Sequence, residues 1–171
     1  MRSISPQVKS RLRWFSLVVL LVVVDYVSKL LALHFFEEEP VKLLPFFSFE
    51  CYCNPGAAFG FLVGFPKFLM LFSVVASILF AILIYRVPYH RFWLGLAFTG
   101  ILAGAIGNLI DRILRGCVID FLHFYIGDLS YPIFNFADSF ITLGAITWLL
   151  VHVLHKEKVA TESEAEDSEA S

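Results

Sequence analysis

The chain has 171 residues, 58% of them hydrophobic and only 16% charged, with a mean hydropathy of +0.77. Soluble domains carry about a quarter charged residues, so the composition argues against a soluble enzyme or a disordered chain. A net charge of -2 supplies no basic stripe for nucleic acid. One membrane domain is expected.

A spanning helix needs about 20 mostly apolar residues, and four stretches qualify: about 14–33, 66–85, 92–109 and 136–153. The first contains Asp25 and Lys29; it has no small-x-small cleavage site behind it and reads as a retained signal anchor. Residues 34–65 mix Phe, Val and Cys with Pro45, Asn54, Pro55, Gly56 and Gly60, a pattern of short strands and turns. Within the third span, Gly100 and Gly104, with Gly107 close by, permit tight helix packing. Residues 110–135 carry Asp111, Arg112, Asp120, His123 and Asp128 among aromatics, and some of the nineteen Phe side chains suit a lipid interface. The expected fold is an all-α membrane protein, with four transmembrane helices and a small β-rich outer segment. Residues 156–171 read as a disordered acidic tail following the domain 1–155.

Cations set the orientation. Arg2, Lys9, Arg11, Arg13, Arg86, Arg91, Lys156 and Lys158 share one side, against Lys42, Lys67, Arg112 and Arg115 on the other. The positive-inside rule then places both termini in the cytoplasm and segments 34–65 and 110–135 outside. Cys51, Cys53 and Cys117 face that outer side, and their odd number leaves one unpaired. They make a poor metal site, and His34, His90, His123, His152 and His155 are scattered near span ends with no chemistry assigned.

Charges at membrane depth need a partner or a purpose. Asp25 and Lys29 stand one helical turn apart and read as a structural pair bracing a site. Asn108, Asp111 and Arg112, at i, i+3 and i+4, share a helix face, for support or for contact with substrate carbonyls. Asp120 and Asp138 both lie on the outer side in apolar surroundings. Two such carboxyls close together split their pKa values, leaving one protonated and one ionised, the state a water-activating aspartate pair needs. Spacing alone leaves a second reading equally open: Asp138 caps the fourth helix, and Asp120 pairs with Arg112 or Arg115.

Five blocks together resemble the lipoprotein signal peptidase (signal peptidase II) family over about residues 12–155. They are Asp25-Tyr26-Val27-Ser28-Lys29, Asn54-Pro55-Gly56-Ala57-Ala58-Phe59-Gly60, Gly107-Asn108-Leu109-Ile110-Asp111-Arg112, Gly116-Cys117-Val118-Ile119-Asp120-Phe121 and Phe134-Asn135-Phe136-Ala137-Asp138-Ser139. The resemblance implies a membrane aspartic endopeptidase of the bacterial inner membrane, its site and β-rich segment periplasmic. Its substrates would be diacylglyceryl-modified prolipoproteins, cleaved just before the lipidated cysteine. It implies Asp120 and Asp138 as the catalytic pair, with Asn54, Gly56, Asn108, Arg112 and Asn135 around them and Asp25, Lys29 and Asp111 as structural support. No metal or organic cofactor is expected, membrane lipids are the surroundings, and the enzyme is expected to be monomeric. Tyr26 stands where many members have glutamine, and the stretch 125–131 has no assigned role. The alternative is a small four-span transporter or assembly factor with an Asp/Lys relay.

Overall fold

The computed structural model describes residues 4–56 and 64–169, with side chains described as far as Leu154. Helix α1 (Pro6–Phe36) opens on an N-cap at Ser5, whose hydroxyl accepts the amide of Val8 at 3.4 Å. Two strands follow, β1 (Val41–Leu44) and β2 (Phe47–Asn54), then helices α2 (Pro66–Arg86) and α3 (Phe92–Arg115). Strands β3 (Val118–Ile126) and β4 (Leu129–Ser130) precede α4 (Phe136–Glu169), whose apolar part is Phe136–Leu154. All four helices are long and apolar enough to cross a membrane.

Two helices reach well beyond the spans expected for them. Helix α1 begins at Pro6 instead of near residue 14, because Ser5 and Pro6 supply a helix start ahead of the apolar run. Helix α3 continues past Leu109 to Arg115, since the polar groups of its last turns find partners within the fold. It stops at Gly116, where φ is 76° and the amide closes on the carbonyl of Arg112, a left-handed cap that glycine adopts without strain. Further on, the backbone of α4 stays helical to Glu169, through the acidic stretch expected to lack structure.

Helix α3 is the central element, packed against each of the other three. The remaining helices turn side chains such as Leu20, Leu71, Leu79 and Leu149 outward, as a lipid solvent allows. Small residues bring α3 and α4 together. A methyl group at Gly104 would strike the carbonyl of Ala137 and the side chain of Ile141, and one at Gly100 would lie 2.9 Å from the carbonyl oxygen of Phe140. At the far end, Gln7 donates to the carbonyl of Val87 at 2.8 Å and Arg11 to that of Tyr85 at 2.9 Å. The start of α1 and the α2–α3 turn therefore share one end of the bundle.

The other end carries an antiparallel sheet in the order β1-β2-β3-β4. The sequence expectation placed strands only in 34–65; strand β3, rich in β-branched and aromatic residues, adds the second outer segment to the same sheet. Phe49 pairs with Leu122 and Tyr52 with Asp120, so Glu50 and Cys51 bulge opposite Phe121 alone. Cys53 and Cys117 form a disulfide across the β2–β3 end, with Cα atoms 5.6 Å apart, and Cys51 stays free. On the other edge, Leu122 and Phe134 exchange backbone hydrogen bonds of 2.8 and 3.1 Å. That bridge ties β3 to the segment entering α4.

Candidate active site

The site is built from the sheet end of α3 outward. Lys29 and Asp25, one turn apart on α1, are both buried, with the ammonium 2.8 Å from Asp25 Oδ2. The same ammonium reaches Asp111 Oδ2 at 3.0 Å and donates to Asn108 Oδ1 at 3.0 Å. Asp111 does not bond Arg112, its neighbour in the expected cluster; it turns to Lys29 and pairs with Arg115 at 2.6 Å. A lone buried charge would be costly, and this neutral set of two acids and two bases avoids that cost.

Asn108 carries the network forward. Its oxygen faces Lys29, so its amide nitrogen is left to donate to Asp138 Oδ1, at 2.8 Å. Asn135 caps α4, its side-chain oxygen accepting the backbone amide of Asp138 at 2.9 Å while its backbone amide donates to Asp138 Oδ2 at 3.3 Å. This reciprocal cap fulfils the helix-capping reading of Asp138 and also fixes its side chain. The Asn135 amide group donates to Asp120 Oδ1 at 2.6 Å, and Asn54 donates to Asp120 Oδ2 at 2.8 Å. Asp120 does not pair with Arg115, which Asp111 occupies.

Both aspartates line one cavity of about 1530 Å³ between α2, α3, α4 and the sheet. Asn54, Gly56, Asn108 and Arg112 share its polar end, whereas Phe68, Phe72, Phe80, Ile101 and Ile141 make the rest apolar. Asn135, Asp25, Lys29 and Asp111 are all buried and do not line the cavity. Arg112 donates to the carbonyl of Gly56 at 3.2 Å, and Gly56 in turn donates its amide to Asn54 Oδ1 at 2.9 Å. The remainder of that sequence block, Ala57 to Gly60, lies outside the described residues.

Asp120 is 2% exposed. Burial, followed by the negative charge of Asp138, pushes its carboxyl up to about 7, against the opposing pull of hydrogen bonds from Asn54 and Asn135 and the charge of Lys29. At neutral pH this carboxyl is poised to hold a proton beside a second acid, which is the chemistry of water activation and carbonyl protonation. On β2, burial likewise raises the thiol of Cys51 and keeps it protonated. Among the described residues, no cluster of three or more His, Cys, Asp or Glu side chains is arranged to hold a metal ion.

Sequence reasoning missed two contributors. Ser73 of α2 lines the cavity beside Arg112, and no charge or spacing in that apolar helix marked it. The second is the Cys53–Cys117 bridge next to Asn54, a pairing that three cysteines alone could not assign.

A family model described as signal peptidase (SPase) II matches residues 17–154. The chain belongs to the signal peptidase II family. A lipoprotein signal peptidase of Shewanella woodyi is 45% identical over 141 residues, 80% of each chain. One from Photorhabdus laumondii is 41% identical over 145 residues, covering 82% of this chain and 87% of the relative. Another, from Shewanella sediminis, is 41% identical over 166 residues, 94% of each chain. Two solved bacterial membrane enzymes share the architecture: one at TM-score 0.75 and 29% identity over 85% of this chain and 89% of that one, the second at 0.71 and 30% over 81% and 91%. This signal peptidase II relative is thus a multi-pass bacterial membrane protein of a protease family, built from four apolar helices and a small sheet.

Proposed function

We propose that the protein is an aspartic endopeptidase that removes signal peptides from diacylglyceryl-modified prolipoproteins, cutting just before the lipidated cysteine. It works in the bacterial inner membrane, with both termini cytoplasmic and the sheet periplasmic. The observation that carries this reading is the convergence of Asp120 and Asp138 on one largely apolar cavity, joined through Asn135. A substrate with two acyl chains needs both an apolar cleft open to the bilayer and carboxylates at its polar end. Each buried CH₂ contributes about 0.8 kcal/mol, and that binding energy positions the scissile bond beside the acids.

Asp120 enters the reaction protonated and Asp138 ionised. Asp138 takes a proton from a water molecule, the water oxygen attacks the scissile carbonyl, and Asp120 donates its proton to the carbonyl oxygen. When the tetrahedral intermediate collapses, the proton held by Asp138 passes to the leaving amine of the cysteine, and the carboxyl product returns a proton to Asp120. Arg112 stays charged throughout and orients backbone carbonyls beside Gly56. All these residues come from one chain, so a monomer suffices. An ion relay, by contrast, needs charges spread across the bilayer, whereas the buried charges here collect at the sheet end.

The test is cleavage of a diacylglyceryl-modified prolipoprotein by purified protein in detergent, wild type beside Asp138→Asn. Wild type releases the signal peptide and the variant does not. Undiminished cleavage by a folded Asp138→Asn variant overturns the mechanism.

A further inference from the structure

Lys29 touches neither the cavity nor the space a substrate would occupy, yet both aspartates lead back to it. An ammonium has three protons, and here three oxygens stand at 2.8, 3.0 and 3.0 Å: Asp25 Oδ2, Asp111 Oδ2 and Asn108 Oδ1. The other oxygen of Asp25 accepts the backbone amide of Ala137 at 2.8 Å. The Lys29-bound oxygen of Asp111 also accepts the backbone amide of Ile119 at 3.1 Å. Ala137 immediately precedes Asp138, and Ile119 immediately precedes Asp120. The third oxygen belongs to the side chain whose nitrogen holds Asp138.

We propose that Lys29 is the positioning residue of the aspartate pair: one ammonium fixes the spacing of the two backbone segments that carry Asp120 and Asp138 and sets which end of the Asn108 amide meets Asp138. Lysine can only donate, so the Asn108 oxygen is drawn to it and the amide nitrogen is turned on the carboxylate. Without the cation, the Asn108 oxygen keeps only the longer 3.3 Å bond from Asn135 Nδ2, and the hold of its amide nitrogen on Asp138 weakens. Asp25 would then lose its ion-pair partner, Asp111 would keep Arg115 alone, and both backbone anchors would loosen. Lys29 thereby couples the first span to the geometry of a reaction carried out on α4 and the sheet. This goes beyond bracing of the fold and rests on the aspartic peptidase reading.

The charged groups around Asp120 are Asp138 from α4, Lys29 from α1 and Arg112 from α3, with the Cys51 thiol on β2. Of these, Lys29 lowers the Asp120 pKa and Asp138 raises it. Removing the cation therefore moves the loss of activity at high pH to a higher pH, a change that a merely structural brace does not produce.

Two variants separate the roles. The double variant Asp25→Asn/Lys29→Gln keeps hydrogen-bonding groups at both positions and removes the charge. Lys29→Arg keeps the charge, but its planar fork cannot match three converging oxygens. Cleavage of lipidated prolipoprotein is followed across pH, with thermal melting as the control for folding. For the double variant we expect KM within about twofold of wild type, kcat at least tenfold lower, and the high-pH limb displaced upward by half a pH unit or more. For Lys29→Arg we expect a tenfold lower kcat with the limb in place. If the double variant does not fold, Lys29→Arg decides alone: an unchanged kcat overturns the proposal. A folded double variant with wild-type kcat and limb overturns it too, as does lost activity with an unmoved limb. Asp138→Asn, run alongside, fails to cleave if the peptidase reading holds, so failure of one claim is distinguishable from failure of the other.

Discussion

Replacing Asp120 by asparagine should invert the stability order of variant and wild type between pH 4 and pH 8. The carboxyl of Asp120 sits at about 7 in the fold against an ordinary 3.8, raised first by burial and then by Asp138. Between those two values the folded state binds a proton that the unfolded chain has lost, so wild-type stability falls as pH rises. At 1.36 kcal/mol per pH unit the full loss is about 4 kcal/mol, complete above pH 7. Asparagine has no such loss. It does surrender one hydrogen bond, because Asp120 accepts from both Asn54 and Asn135 and an amide has only one oxygen; that costs about 1–3 kcal/mol at every pH. The variant is therefore about 1–3 kcal/mol less stable than wild type at pH 4 and more stable by a similar amount at pH 8. Thermal unfolding in detergent, followed by tryptophan fluorescence over a pH series, reads the crossover directly. A stability difference that stays constant from pH 4 to pH 8 refutes the reasoning, because it would mean that Asp120 titrates alike in both states.

Catalysis should follow the same carboxyl: kcat/KM for lipidated prolipoprotein falls above pH 7 as Asp120 ionises, and a profile flat through pH 8.5 counts against its role as acid. Gly104→Ala forces a methyl group into the carbonyl of Ala137 and should destabilise the α3–α4 contact by about 1–3 kcal/mol, seen as a lower melting temperature. Cys53→Ser/Cys117→Ser removes the tie beside Asn54 and should lower stability by about 2–4 kcal/mol, with wild-type protein in reductant showing the same drop and the variant none.

Hydropathy placed all four helices, because crossing lipid demands a length and composition that any sequence must display. The Asp25–Lys29 pair was equally visible, since helical neighbours four residues apart meet by local geometry. What escaped was long-range. Strand β3 carried no secondary-structure expectation, because Asp120 and His123 interrupt its apolar run, and only pairing with β2 explains their placement. Helix α3 runs on to Arg115, beyond its expected span, because the partners that satisfy Asn108 and Asp111 include Lys29, far away in the chain. Composition offers no signal for such a convergence. The blocks singled out these residues, but their wiring through Asn108 and Asn135 is visible only in the fold.

The position of β2 and β3 in the chain also governs how the molecule is made. The two strands are separated by α2 and α3, yet they lie side by side and share a disulfide whose cysteines are 64 residues apart. With the helices crossing the membrane as proposed above, the strands pair only after the intervening helical hairpin has inserted and brought Cys117 to the side where Cys53 lies. Asn54 and Asp120 meet only at that moment, and Asp138 arrives later still, with the final helix. On the peptidase reading proposed above, a chain caught midway through insertion holds only part of the aspartate site and is expected to stay inactive until the last helix is in place.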